Sequence, residues 1–110
     1  MIGKQFLPHR FAMDDKEEIV RYYEQTSTEQ IALSFVNALD QAYAQILKYP
    51  NMGSPRPEHD LDLSGIRSWS LKRFPHQIYY EVHDDRIELC RVLHPRRDIT
   101  PSMLSGRRLQ

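Results

Sequence analysis

The opening stretch Lys4-Gln5-Phe6-Leu7 pairs two polar with two apolar positions and is bounded by Gly3 and Pro8. It predicts a brief strand, and Pro8, which has no amide hydrogen for a ladder, predicts that the strand lies at a sheet edge. From Asp14 the spacing changes to three and four. Ile19, Tyr22 and Tyr23 recur on one side, while Asp14, Asp15, Glu17 and Glu18 suit the cap and the positive N-terminal end of a helix over 14–25. Thr26, Ser27 and Thr28 then offer side-chain oxygens for a new cap. Ala32, Phe35, Val36, Leu39, Tyr43, Ile46 and Leu47 follow on one stripe of a second helix, which must stop before Pro50. So short a connection makes the two helices an antiparallel hairpin, and residues 51–57 read as a turn-rich loop.

After residue 60 the period becomes two. Arg67, Trp69, Leu71 and Arg73 alternate with Ser68, Ser70 and Lys72, and Ile78, Tyr80 and Val82 alternate with Gln77, Tyr79 and Glu81. A turn over 83–86 leads into Ile87–Leu93, which begins with alternation and ends almost continuously apolar, the pattern of a central strand. Strict alternation places Arg91 beside Ile87 and Leu89, which implies either a bulge or a sheet face that opens onto a functional surface. The predicted order is β-α-α-β-β-β, an α+β fold. An N-terminal strand precedes an antiparallel helical hairpin packed on one face of a small antiparallel sheet, and the other sheet face is left partly exposed. A single domain over 1–110 is expected, with an irregular or short helical tail from about residue 99.

Composition narrows the function. With 110 residues, 15 Lys+Arg and 15 Asp+Glu, the chain has no net charge, which argues against affinity from bulk phosphate neutralisation. The halves differ, however: residues 56–110 hold 10 basic and 8 acidic residues, and eight of the nine cations between Leu63 and Arg108 are arginines, whose planar forks suit phosphates and carboxylates. One cysteine, Cys90, permits no internal disulfide and reads as a core residue. No signal peptide or apolar membrane span is legible, so a cytoplasmic location is expected. The five histidines share no ligand spacing, and phosphate-loop, dinucleotide, nucleophile-elbow and zinc-protease motifs are missing, so no metal and no cofactor is expected. Two arrangements carry chemistry. His94 is followed by Pro95, Arg96, Arg97 and Asp98, a titratable imidazole beside two guanidinium groups, which fits acid/base work or a structural turn. Trp69, Tyr79 and Tyr80 lie among Arg67, Arg73 and Arg91, an interleaving that suits base stacking or sheet packing.

Three phrases, YPNMGSPRP, GIRSWSLKRFPHQIYYEV and RIELCRVLHPRRDI, together resemble the ParE branch of the RelE/ParE toxins of type II toxin-antitoxin systems. The resemblance covers nearly the whole chain. It rests on Tyr49, Pro50, Met52, Gly53, Arg56 and Pro57, then Arg67, Ser68, Arg73, Phe74, Pro75, Ile78 and Tyr80, then Arg91 to His94 with Arg97 and Asp98. Gln77 and Glu81 depart from it where basic residues are common, as do Trp69, Ser70 and Lys72. The resemblance implies the same fold and a toxin that poisons DNA gyrase by binding, with Arg67, Arg73, Arg91, His94, Arg96 and Arg97 as target contacts. It also implies neutralisation by a ParD-like antitoxin. Apolar bulk beyond what the sheet needs, at Ile19, Tyr22, Tyr23 and Leu33, suits a partner helix laid across the hairpin or simply flanks the core, and strand addition at an exposed sheet edge is the other mode open to such a partner. The alternatives are a RelE-like, metal-independent nuclease cutting messenger RNA on the ribosome, with Arg67, Arg73, Tyr80, His94 and Arg97 around one phosphate, or an attenuated toxin that only binds its antitoxin.

Overall fold

A computed structural model describes residues 5–55 and 66–94. Strand β1 (Gln5–Pro8) lies at a sheet edge, as Pro8 requires, and runs into helix α1 (Arg10–Thr26). The helix begins four residues before the predicted Asp14. His9 stays extended and donates its amide to the Leu89 carbonyl at 2.9 Å, and its own carbonyl accepts from the Met13 amide at 3.0 Å, so the first turn is wound directly off the sheet. Asp14 and Asp15 are therefore inside the helix and cap nothing. Helix α2 (Glu29–Lys48) starts where expected, with the Ile31 amide donating to Thr28 Oγ1 at 3.1 Å. Its buried stripe is Ala32, Phe35, Leu39, Ala42 and Ile46; Ala42 takes an inner place and Leu47 is exposed.

The predicted loop contains two small elements, a 3-10 turn (Pro50–Met52) and strand β2 (Ser54–Pro55). Strands β3 (Ile66–Ser70), β4 (Gln77–Val82) and β5 (Arg86–Leu93) complete a sheet of order β1-β5-β4-β3-β2. The sheet is mixed, because β1 pairs with β5 in parallel, Gln5 opposite Arg86 through Pro8 opposite Leu89. The expectation of an antiparallel sheet fails at this one junction. The helical hairpin carries the chain to the far edge, and the meander from β2 returns to β1 with its last strand pointing the same way. Strand β3 also stops at Ser70, short of Arg73, whose backbone is left-handed at φ 72° and bends the chain toward β4.

Between the two possibilities for Arg91, the fold takes the bulge. Tyr79 pairs with Arg91 but Tyr80 with Leu89, so Cys90 is the extra residue. The shift keeps Ile87, Leu89 and Val92 in the core under Phe35, Leu39 and Ile46, together with Ile78 and Tyr80. Fully burying each of these large side chains contributes on the order of 1.5–3 kcal/mol. The opposite sheet face is partly exposed, as expected: Ile66, Ser68, Tyr79 and Leu93 are buried, while Gln77 and Glu81 are half-buried and Ser70 is exposed. Among the described residues no helix is long and apolar enough to cross a membrane. The predicted tail from residue 99 lies outside the described residues.

Candidate functional site

Arg67 and Tyr80, cross-strand partners on β3 and β4, converge on the 3-10 turn that follows α2. The Tyr80 hydroxyl donates to the Pro50 carbonyl at 2.8 Å and accepts from the Gly53 amide at 3.1 Å, and Arg67 Nη1 donates to the Gly53 carbonyl at 2.7 Å. Tyr80 is fully buried, and burial raises its pKa above the ordinary phenol value. Both side chains thus act as clamps that fix the end of the helical hairpin to the sheet. The close approach requires glycine at position 53. A Cβ there would overlap the Tyr80 hydroxyl and stand 2.9 Å from the Ser68 carbonyl oxygen. Gly53→Ala is expected to cost about 1–3 kcal/mol in urea unfolding. Adding Tyr80→Phe, which removes the hydroxyl, should return part of that loss; no return would place the conflict on the ring carbon Cζ or the Ser68 carbonyl, each 2.9 Å from that Cβ.

Arg91 is held from the other side. Its Nε and Nη2 donate to the two Asp15 carboxylate oxygens at 2.7 and 2.8 Å, a bidentate pair, and its guanidinium carbon lies 5.8 Å from the Phe11 ring centroid. The hydrogen bonds to Asp15 raise the Arg91 pKa further.

Among the described residues, Arg73 is the predicted site arginine exposed at the surface, in the β3–β4 connection beside Lys72. Together they rim a shallow groove against Ser34, Asn37 and Gln41 of α2. His94, half-buried at the end of β5, meets His76 edge-on with ring centroids 5.4 Å apart. His76 is buried among Tyr23, Phe35 and Phe74. Burial, and secondarily His94, lowers its pKa to about 4, so its imidazole is neutral at physiological pH. Arg96 and Arg97 lie outside the described residues. Arg67, Tyr80 and Arg91 are thus each tied to structural partners, and among the described residues the exposed member of the predicted set is Arg73.

On the hairpin, Tyr22 and Leu33 are each 60% exposed, whereas Ile19 and Tyr23 pack against the core. Val20, Ala32, Leu33 and Val36 line a shallow apolar groove between the two helices, edged by Glu24 and Glu29. Of the predicted docking residues, the fold therefore presents Tyr22 and Leu33 outward.

Three groups escaped sequence reasoning. Asp15 read as a helix cap, and nothing near it in sequence signals Arg91. His76 had no assigned role, although FPH beside an aromatic-rich helix hints at burial. Glu81, His83 and Glu88 converge across the β4–β5 hairpin, and their signal was legible: Glu81 and His83 two apart on one strand face, with Glu88 opposite once the turn is placed.

A comparison with curated proteins finds no match. The solved structure "Chromosomal ParDE TA system from P. aeruginosa" is similar in fold, with a TM-score of 0.70 at 22% identity over 83% of this chain and 95% of that one. The family model described as "ParE toxin of type II toxin-antitoxin system, parDE" matches residues 8–99, which take in the edge-strand proline, the helical hairpin, the Gly53 clamp and the whole meander. With that match over most of its length, the chain belongs to the ParE toxin family of type II toxin-antitoxin systems.

Proposed function

We propose that this toxin acts by binding DNA gyrase rather than by catalysis, and that an antitoxin neutralises it on the outer face of the helical hairpin. One observation carries the first part. The Tyr80 hydroxyl, the phenol a nuclease reading needs at the scissile phosphate, is fully buried and bonded to Pro50 and Gly53. With Arg67 and Arg91 also tied to structural partners, binding through the surface cations Lys72 and Arg73, together with the arginines beyond the described residues, is the better-supported activity.

The second part rests on Leu33, a large apolar side chain that is exposed and lines the apolar groove between the helices, the kind of surface that receives a partner segment; Tyr22 adds a second exposed apolar side chain on α1. A cytoplasmic site of action follows from these two partners.

The test is purified gyrase acting on supercoiled plasmid with and without the toxin, beside mapping of transcript 5′ ends in cells expressing it. Accumulated cleaved DNA with intact transcripts is the expected result; cut transcripts with intact DNA would replace this reading with ribosome-dependent RNA cleavage. The two surfaces should separate. Leu33→Asp with Tyr22→Asp should weaken antitoxin binding at least about tenfold while leaving growth inhibition in place. Replacing Lys72 and Arg73 with glutamine should reduce growth inhibition and leave antitoxin affinity unchanged. Loss of both activities in either variant would mean the two partners share one surface.

A further inference from the structure

We propose that the groove between α2 and the end of β3 receives an extended, acidic segment of the target protein; this rests on the gyrase-binding reading above and names the chemistry of that contact. The groove follows one stripe of α2, from Ser34 through Ala38 and Gln41 to Gln45. Its other wall is Trp69 and Ser70 at one end and Arg73 and Phe74 at the other, and Lys72 lines both halves. At about 1.5 Å of rise per helical residue the stripe is roughly 16 Å long, the reach of about five residues of extended chain. The half beside Trp69 is a cleft of about 440 Å3 lined by the small side chains of Ala38, Ala42 and Ala44, which let a peptide approach the helix closely.

Charge and hydrogen-bonding capacity select the occupant. No acidic side chain lines either half, and both cations, Lys72 and Arg73, are exposed. Arg67, Arg86 and Arg91 are each held by an internal acceptor. Among the described residues neither Lys72 nor Arg73 has one, and the side-chain amides of Asn37, Gln41 and Gln45 are likewise uncommitted. The Arg73 backbone is left-handed at φ 72°, which a residue with a Cβ adopts only at a cost, and no internal contact of its side chain offsets that cost. Carboxylates complement the two cations, and amides both donate to and accept from a peptide backbone. A nucleic acid fits less well. Two cations on a chain without net charge neutralise few phosphates, and Trp69 and Phe74 pack against the core instead of standing free to stack on bases. The groove shares no lining residue with the apolar one between α1 and α2, so an antitoxin seated there leaves this site open.

The experiment places a benzophenone photo-cross-linker at exposed Gln41, in the middle of the groove, in the full chain. The labelled toxin is irradiated with purified gyrase holoenzyme on plasmid DNA and, separately, with the antitoxin, and the attachment sites are mapped by mass spectrometry. Attachment to a gyrase segment with two or more carboxylates within about five residues is expected. Ala44→Trp, which fills the cleft and keeps every charge, should weaken gyrase binding at least about tenfold with antitoxin affinity intact. If the unaltered toxin binds gyrase but position 41 attaches to nothing, to a segment without carboxylates, to the DNA or to the antitoxin, the groove proposal falls and the gyrase reading stands. If the unaltered toxin does not bind gyrase at all, both fall. Should Ala44→Trp lose the antitoxin as well, the variant is misfolded and the attachment site alone decides.

Discussion

Asp15→Ala is expected to cost about 3–5 kcal/mol, a large share of the 5–15 kcal/mol that typically holds a domain folded. The carboxylate accepts three hydrogen bonds at once, two from Arg91 and one from the Val92 amide at 3.0 Å. That amide belongs to β5 beyond Leu89, where β1 has ended and no neighbouring strand takes the bond. Asp15 thus continues the sheet edge with a side chain. Removing it leaves a guanidinium, whose side chain is 12% exposed, without its counter-charge, and a buried amide without an acceptor. Urea unfolding is the measurement. Asp15→Ala with Arg91→Met should recover much of the loss, because a buried pair replaced by apolar groups is often neutral, whereas a broken pair is not. A single-mutant loss below about 1 kcal/mol would assign the pair the energetics of a solvated surface bridge.

Acid should destabilise this fold through His76, and the sign follows from its environment. Its folded pKa is about 4 against an ordinary value of 6.5, so between those pH values the unfolded chain holds the proton and the folded one does not. The contribution is fully present above about pH 6.5 and is lost as pH falls toward 4, amounting to about 3 kcal/mol for this group. His76→Phe should flatten that limb of the stability profile. The aromatic pocket of Tyr23, Phe35 and Phe74 suits a phenyl ring, and Nδ1 of His76 is a buried atom with no hydrogen-bond partner to lose. At neutral pH the variant should therefore match or exceed the parent. A His76 imidazole titrating near 6 by NMR, with parallel profiles for the two proteins, would refute the assignment.

The helical hairpin was legible in the sequence because its signals are local. Thr28 caps α2 as read, Phe35, Leu39 and Ile46 recur at helical spacing, and the proline after Tyr49 ends the helix. The edge position of β1 followed from Pro8, and the hairpin of β4 and β5 from alternation on both sides of a polar turn. The start of α1 was misplaced because its anchor, the Leu89 carbonyl, is remote in the chain. Tyr22 and Leu33 were legible as surplus apolar bulk, while the same reasoning could not tell that Ile19 and Tyr23 face inward.

What the sequence determined by itself was therefore the set of elements and their order, since period, caps and breakers act within a few residues. The tertiary structure alone decided which polar side chains are free to work. Asp15 meets Arg91 across 76 residues, Tyr80 meets Pro50 across 30, and His9 meets Glu88 across 79. It also decided the parallel pairing of β1 and the bulge at Cys90. The physical reason is common to all of these: a desolvated charge, hydroxyl or amide must find a partner wherever the packed elements bring one, and no local periodicity carries that information.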